Sequence, residues 1–205
     1  AINASVNSCV FTNLFISDVF SGLNLSVGTN FLVSGVKLLN IYGAFGINVP
    51  SGGGNCIVDN QLDPVFYGAY TMTSGFGAWA TGTVYALNAV RSANGGFYVC
   101  TQAGTSAGAG GGPVITAFGT TIVDNTVRWL FICSTTAIGL NVAANSNFCA
   151  YNDVSGPWVA GINVTTADGN IVQANTVGQV LGSGINLGVN ATNTLVHGNL
   201  VSGAY

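Results

Sequence analysis

Apolar residues along this chain come in short alternating runs, and the runs return at a nearly fixed interval. A phrase Gly-[Leu/Ile]-Asn-[Leu/Val] stands at 22–25, 46–49, 139–142, 161–164 and 184–187. A second phrase, an Asn followed by an apolar pair, recurs around Asn7, Asn30, Asn55, Asn147, Asn170 and Asn193, in steps of 23, 25, 92, 23 and 23. A fixed period of this size marks a solenoid, in which each unit buries its apolar face only by stacking on the next. In one unit, Gly161-Ile162-Asn163-Val164 predicts a short strand, 165–169 a polar turn, and 170–173 a second strand. A bend at Ala174-Asn175 and a third strand at Thr176-Val177 complete it. Three strands in about 23 residues describe one coil of an all-β, right-handed parallel β-helix, whose equivalent strands pair about 4.8 Å apart along the axis. The marker Asn suits a corner because it tolerates the left-handed backbone region, and stacked Asn amides bond from coil to coil. In this alignment Asp59, Tyr151, Ala174 and His197 share one position.

The long step equals 4 × 23 = 92, so an unbroken solenoid would keep the phase. The intervening residues 76–132 nevertheless lack the Gly-Ile-Asn phrase, hold two of the three Trp and both Arg, and include a glycine-rich run from Gly104 to Gly112. They are expected to form a small β-rich module inserted at a corner, where an insertion leaves the flanking ladders undisturbed. The predicted organisation is therefore coils over 1–75, the module over 76–132 and coils over 133–205.

Composition narrows the function. Charged residues make up 4% of the chain, Glu is absent, and the net charge is −3. So few cations argue against binding nucleic acid, which needs Lys and Arg for its phosphates, and against adhesion to anionic membranes. Mean hydropathy is +0.54, yet no apolar run of about 18 residues exists to span a bilayer as a helix. Asn, Ser and Thr must keep such a surface wet, which suits a secreted or virion-borne protein. Of the five cysteines, Cys9 and Cys149 follow their marker Asn at a position where other coils carry Leu32, Ile57, Val172 and Leu195. They read as small core residues; a Cys100–Cys133 bridge stays open.

Three separated motifs in the insertion carry a resemblance. They are Trp79-Ala-Thr-Gly-Thr-Val-Tyr85, then Gly96-Phe97-Tyr98-Val99-Cys100-Thr101-Gln102-Ala103-Gly104-Thr105-Ser106, then Asp124-Asn125-Thr126-Val127-Arg128-Trp129. This stretch resembles a β-module of bacteriophage tail fibres and tailspikes and is similar to chitin-type carbohydrate-binding modules. Asn125 stands where the pattern usually has Gly, an exchange a left-handed turn permits. The flanking coils, through Gly169-Asn170-Ile171-Val172-Gln173-Ala174-Asn175 and His197-Gly198-Asn199-Leu200, resemble the pectate-lyase-like β-helix superfamily. The resemblance implies a homotrimeric tail component that binds host surface glycans beside other virion tail proteins. Trp79, Tyr85, Tyr98 and Trp129 are the candidate carbohydrate-binding residues it supplies. A module this small must also use aromatics as its core, so Tyr85 and Trp129 are expected mainly inside and Trp79 as the exposed ring. Asp124 is expected to form a turn by accepting backbone N–H bonds.

Catalysis is not expected. Glycosidic cleavage usually takes two carboxylates across the scissile bond, and the six Asp residues are scattered along the chain. Tyr151 and His197, on one column two coils apart, would be separated by about 10 Å, too far for an acid–base pair. No Asp cluster suggests calcium, and no metal or cofactor is implied. Two other readings remain: a polysaccharide depolymerase with a site between subunits, and a secreted bacterial β-helix adhesin. Asn-x-Ser/Thr sequons at Asn3, Asn24, Asn163 and Asn190 are expected by chance in so Asn-rich a chain.

Overall fold

The computed structural model describes residues 2–63, 76–115, 119–165 and 167–203. They form an all-β parallel solenoid and a separate β-sheet module, and the chain divides into compact units Ala1–Val65 with Ala137–Tyr205, and Phe66–Thr136.

Three six-stranded parallel sheets make the solenoid. The first contains Ile2–Ala4, Leu23–Leu25, Phe45–Val49, Ile138–Val142, Ala160–Val164 and Ser183–Leu187. The second contains Val10–Thr12, Leu32–Ser34, Cys56–Val58, Phe148–Ala150, Ile171–Gln173 and Leu195–His197. The third contains Phe15–Ser17, Lys37–Leu39, Gln61–Asp63, Asp153–Ser155, Thr176–Gly178 and Leu200–Ser202. Each strand pairs with its equivalent one coil away, so Asn3, Asn24, Asn48, Asn141, Asn163 and Asn186 form one column. Their separations of 21, 24, 93, 22 and 23 residues show that the ladder continues in register past the insertion. Inside, stacked columns such as Val33, Ile57, Cys149 and Val172, or Leu38, Leu62, Val154 and Val177, are fully buried.

The glycine of the recurring phrase has a steric cause. A Cβ on Gly46 would stand 2.6 Å from the Gly139 carbonyl oxygen and 2.7 Å from Leu62 Cδ2. Only glycine lets the third sheet's core residue approach the first strand that closely.

The structure separates two roles that the sequence pattern merges at the marker Asn. Left-handed backbone occurs at Ser8, Asn30, Gly54, Ser146, Gly169 and Asn193, which occupy one corner column. The amide ladder runs through the next residue, where Asn55, Asn147 and Asn170 are buried. Cys9 and Phe31 hold that ladder position in the first two coils, so Cys9 does not share the core column of Cys149. The same division recurs at the next corner. There Asn13, Gly35, Asp59, Tyr151, Ala174 and Gly198 are left-handed, and Asn60, Asn152, Asn175 and Asn199 carry the ladder. His197 therefore lies one position off the column of Asp59, Tyr151 and Ala174; it pairs with Gln173.

Each mid-ladder amide is fully used. Asn152 Oδ1 accepts from the Asn60 backbone N–H at 3.2 Å and from Asn60 Nδ2 at 2.9 Å. Its Nδ2 donates to the Ile57 carbonyl at 3.0 Å and to Asn175 Oδ1 at 2.9 Å. Two donor hydrogens and two acceptor lone pairs exhaust the capacity of an Asn side chain. Where the column lapses, the deficit is visible: Thr194 replaces the next Asn, and Asn170 Nδ2 is buried without a partner.

The module contains a five-stranded sheet in the order Gly77–Ala78, Val90–Ala93, Gly96–Gln102, Val127–Ser134, Thr121–Asp124. Val84–Tyr85 and Gly104–Thr105 form a two-stranded ribbon. Asn94-Gly95, both with positive φ, turn the first hairpin, as a two-residue loop matching the strand twist requires. Asn125, at φ 58°, turns the last, taking the left-handed position expected of it. The strand Val127–Ser134 carries on past residue 132.

Candidate functional site

The module's interior is organised around one carboxylate. Asp124, 9% exposed, sits at the end of its strand and directs Oδ2 at two indoles. Trp79 Nε1 donates to it at 2.7 Å and Trp129 Nε1 at 3.1 Å. Oδ1 accepts the Ala107 backbone N–H at 2.8 Å. A carboxyl group this buried is tolerated where donors meet its oxygens, and three donors do so here. Asp124 therefore accepts one backbone N–H, as a turn residue would, but its main partners are the two tryptophans. The Asp-Asn-Thr-Val spacing signals the hairpin; nothing local signals the bond to an indole 45 residues away.

The four sequence-derived aromatics are brought together unequally. Trp129 and Tyr85 are buried and meet edge to face, with centroids 4.9 Å apart at 70°. The Tyr85 hydroxyl accepts from the Ala80 N–H at 2.7 Å and donates to the Ala80 carbonyl at 3.3 Å, and the Arg91 guanidinium lies 5.2 Å from its ring centroid. Tyr98 is also fully buried, beside Phe131 at 5.6 Å. Its hydroxyl has no partner, and burial pushes its pKa up to about 12. These three rings belong to the module's core. Trp79 alone of the four is only part-buried. Gly112 packs on that ring; a Cβ there would come within 2.7 Å of Trp79 Cδ2. The glycine-rich segment is in turn held by Asn94, whose Nδ2 donates to the carbonyls of Gly111 at 2.9 Å and Pro113 at 3.0 Å.

Among the described residues, no three His, Cys, Asp or Glu side chains gather as a metal site would require. His197 Nε2 lies 3.1 Å from Gln173 Oε1 on an exposed face. Asp18 and Asp168 are exposed, and their pKa values are lowered by hydrogen bonds, from Asn40 and Ser17 in one case and chiefly from Thr192 and Asn193 in the other. All five cysteines are free thiols, Cys100 and Cys133 included. Those two face Trp129 and Phe97 across the sheet and not each other. Burial raises the Cys149 pKa to about 12, with a smaller contribution from Cys56, and pushes the Cys133 thiol higher still. A buried neutral thiol is a poor nucleophile. Among the described residues, no helix is long and apolar enough to cross a membrane.

Compared with family models, curated proteins and solved structures, this chain matches none.

Proposed function

We propose that this chain is a structural and receptor-binding component of a bacteriophage tail fibre or tailspike, recognising host surface glycans without cutting them. The observation that carries the reading is Trp79: an amphipathic side chain that is only part-buried, its indole N–H held by buried Asp124. A rigid aromatic loses little entropy on binding and offers its face to the C–H side of a sugar. A solenoid of stacked neutral amides suits a shaft that resists electrostatic adhesion. Assembly as a homotrimer, with other tail proteins, would repeat a weak site and add affinity through avidity. On this reading the protein resides in the virion tail or otherwise outside the cell.

The test is a glycan array probed with the assembled protein and with Trp79→Ala, followed by product analysis of each bound glycan. Binding that falls about tenfold or more with Trp79→Ala, with every glycan intact, is the expected result. Shortened oligosaccharides would replace this reading with a depolymerase acting at a subunit interface. A gene context encoding a secretion signal or wall anchor would favour the adhesin.

A further inference from the structure

A second candidate site lies on the side of the solenoid. Asn3, Asn24 and Asn48, successive members of the first sheet's amide column, line a cleft of about 300 Å³ together with Ser21, Ala44 and Phe45. The cleft crosses three coils sideways and is of a size that takes a small ligand. Along the column, Asn24 Nδ2 donates to Asn3 Oδ1 at 3.1 Å, and Asn48 Nδ2 donates to Asn24 Oδ1 at 2.8 Å. An Asn side chain has two donor hydrogens and two acceptor lone pairs, so Asn24 keeps one of each for an incoming group. Two neighbouring hydroxyls fit that pair: one O–H donates to the amide oxygen while the other oxygen accepts the N–H.

An exposed aromatic side chain adjoins this lining in sequence. Phe20, next to Ser21, is 53% exposed and is held edge-on by Tyr42, with centroids 6.0 Å apart at 83°. Gly43 permits this, because a Cβ there would collide with the Phe20 ring and carbonyl. The ligand class follows from what the lining lacks. None of the described residues that line the cleft is ionisable, so a carboxylate or sulfate entering it would lose water without gaining a cation from them. Coils about 4.8 Å apart also repeat at close to the length of one pyranose in an extended chain, which would set successive sugars against successive amides. We propose that this cleft is a binding subsite for uncharged oligosaccharides, with Asn24 reading a hydroxyl pair and Phe20 stacking on a sugar face. The proposal rests on the glycan-receptor reading above and adds where a glycan sits and which charge class it has.

The experiment is an array of neutral and of uronic- or sialic-acid-containing glycans, probed with the parent protein, Phe20→Ala and Trp79→Ala. Circular dichroism melting confirms that the two surface variants fold. The expected result is binding confined to neutral glycans, at least one of which binds Phe20→Ala about tenfold more weakly than the parent, with Trp79→Ala run beside it to report the module's own contribution. Binding that depends on Trp79 and is untouched by Phe20→Ala overturns the cleft but leaves the receptor reading standing. Acidic glycans bound as tightly through Phe20 overturn the charge selection. No binding to any glycan overturns both.

Discussion

The solenoid and the module solve the same problem, burying polar groups in a chain with few charges, in opposite ways. The solenoid distributes the task. Asn55, Asn147 and Asn170 at one corner, and Asn60, Asn152, Asn175 and Asn199 at the next, pass hydrogen bonds from coil to coil. The module concentrates it: one carboxylate, Asp124, holds two tryptophans and a loop amide. A distributed ladder can lose a rung at its end with local cost, as the unpartnered Asn170 Nδ2 shows. A hub has no neighbour to share the loss.

That contrast predicts a graded series. The largest effect belongs to Asp124→Ala, which leaves buried Trp129 Nε1 and the Ala107 N–H without an acceptor. Stranding donors in a buried site costs roughly 1–3 kcal/mol for each. Urea unfolding followed by tryptophan fluorescence should show an early transition of the module, with the solenoid's circular dichroism transition little changed. Next comes Asn152→Leu, mid-ladder, expected to cost about 3 kcal/mol because it strands the groups it now satisfies on Asn60, Ile57 and Asn175; thermal melting of the solenoid checks it. A gain of about 1 kcal/mol is expected from Thr194→Asn, which gives Asn170 Nδ2 the partner it lacks. Tyr98→Phe should be neutral or stabilise by up to about 1 kcal/mol, since it removes a buried hydroxyl with no partner. Either result is read from the shift of the denaturation midpoint.

Acid should have the smallest effect. Asp18 and Asp168 have folded pKa values below the ordinary 3.8, so their contribution is present above 3.8 and is lost as pH falls through the lowered values. Both are fully exposed, so a melt repeated between neutral pH and pH near 3.8 should move little. A large loss of stability there would point to a carboxylate other than these two.

The comparison also explains what could be read from residues alone. A repeated unit announces itself, and Gly-Ile-Asn-Val is legible because its glycine, its apolar pair and its amide each answer a contact made once per coil. Adjacent positions that both favour Asn are harder. Asn30 and Asn193 are chosen for left-handed backbone, and Asn55, Asn147 and Asn170 for the ladder one residue on. The spacing cannot distinguish these reasons, and so it sets Cys9 and His197 one residue out of register. In the module, the hairpin turns at Asn94-Gly95 and Asn125 follow from local chemistry. The role of Asp124 does not, because it depends on Trp79 arriving from a distant strand. Phe20 carries no signal at all: its exposure and its neighbour Tyr42 arise from one coil's corner and do not repeat.

The claim on which this account turns is that amide ladders run unbroken past the insertion. Residue-resolved amide hydrogen exchange on the intact protein tests it at Asn55 and Asn60, whose backbone N–H groups donate to Asn147 and Asn152, both 92 residues away in sequence. Protection equal to that of the Asn147 and Asn152 amides, which donate to Asn170 and Asn175 within the later coils, is the predicted result. Fast exchange at Asn55 and Asn60 beside slow exchange at Asn147 and Asn152 would contradict it, dividing the solenoid into two separate stacks.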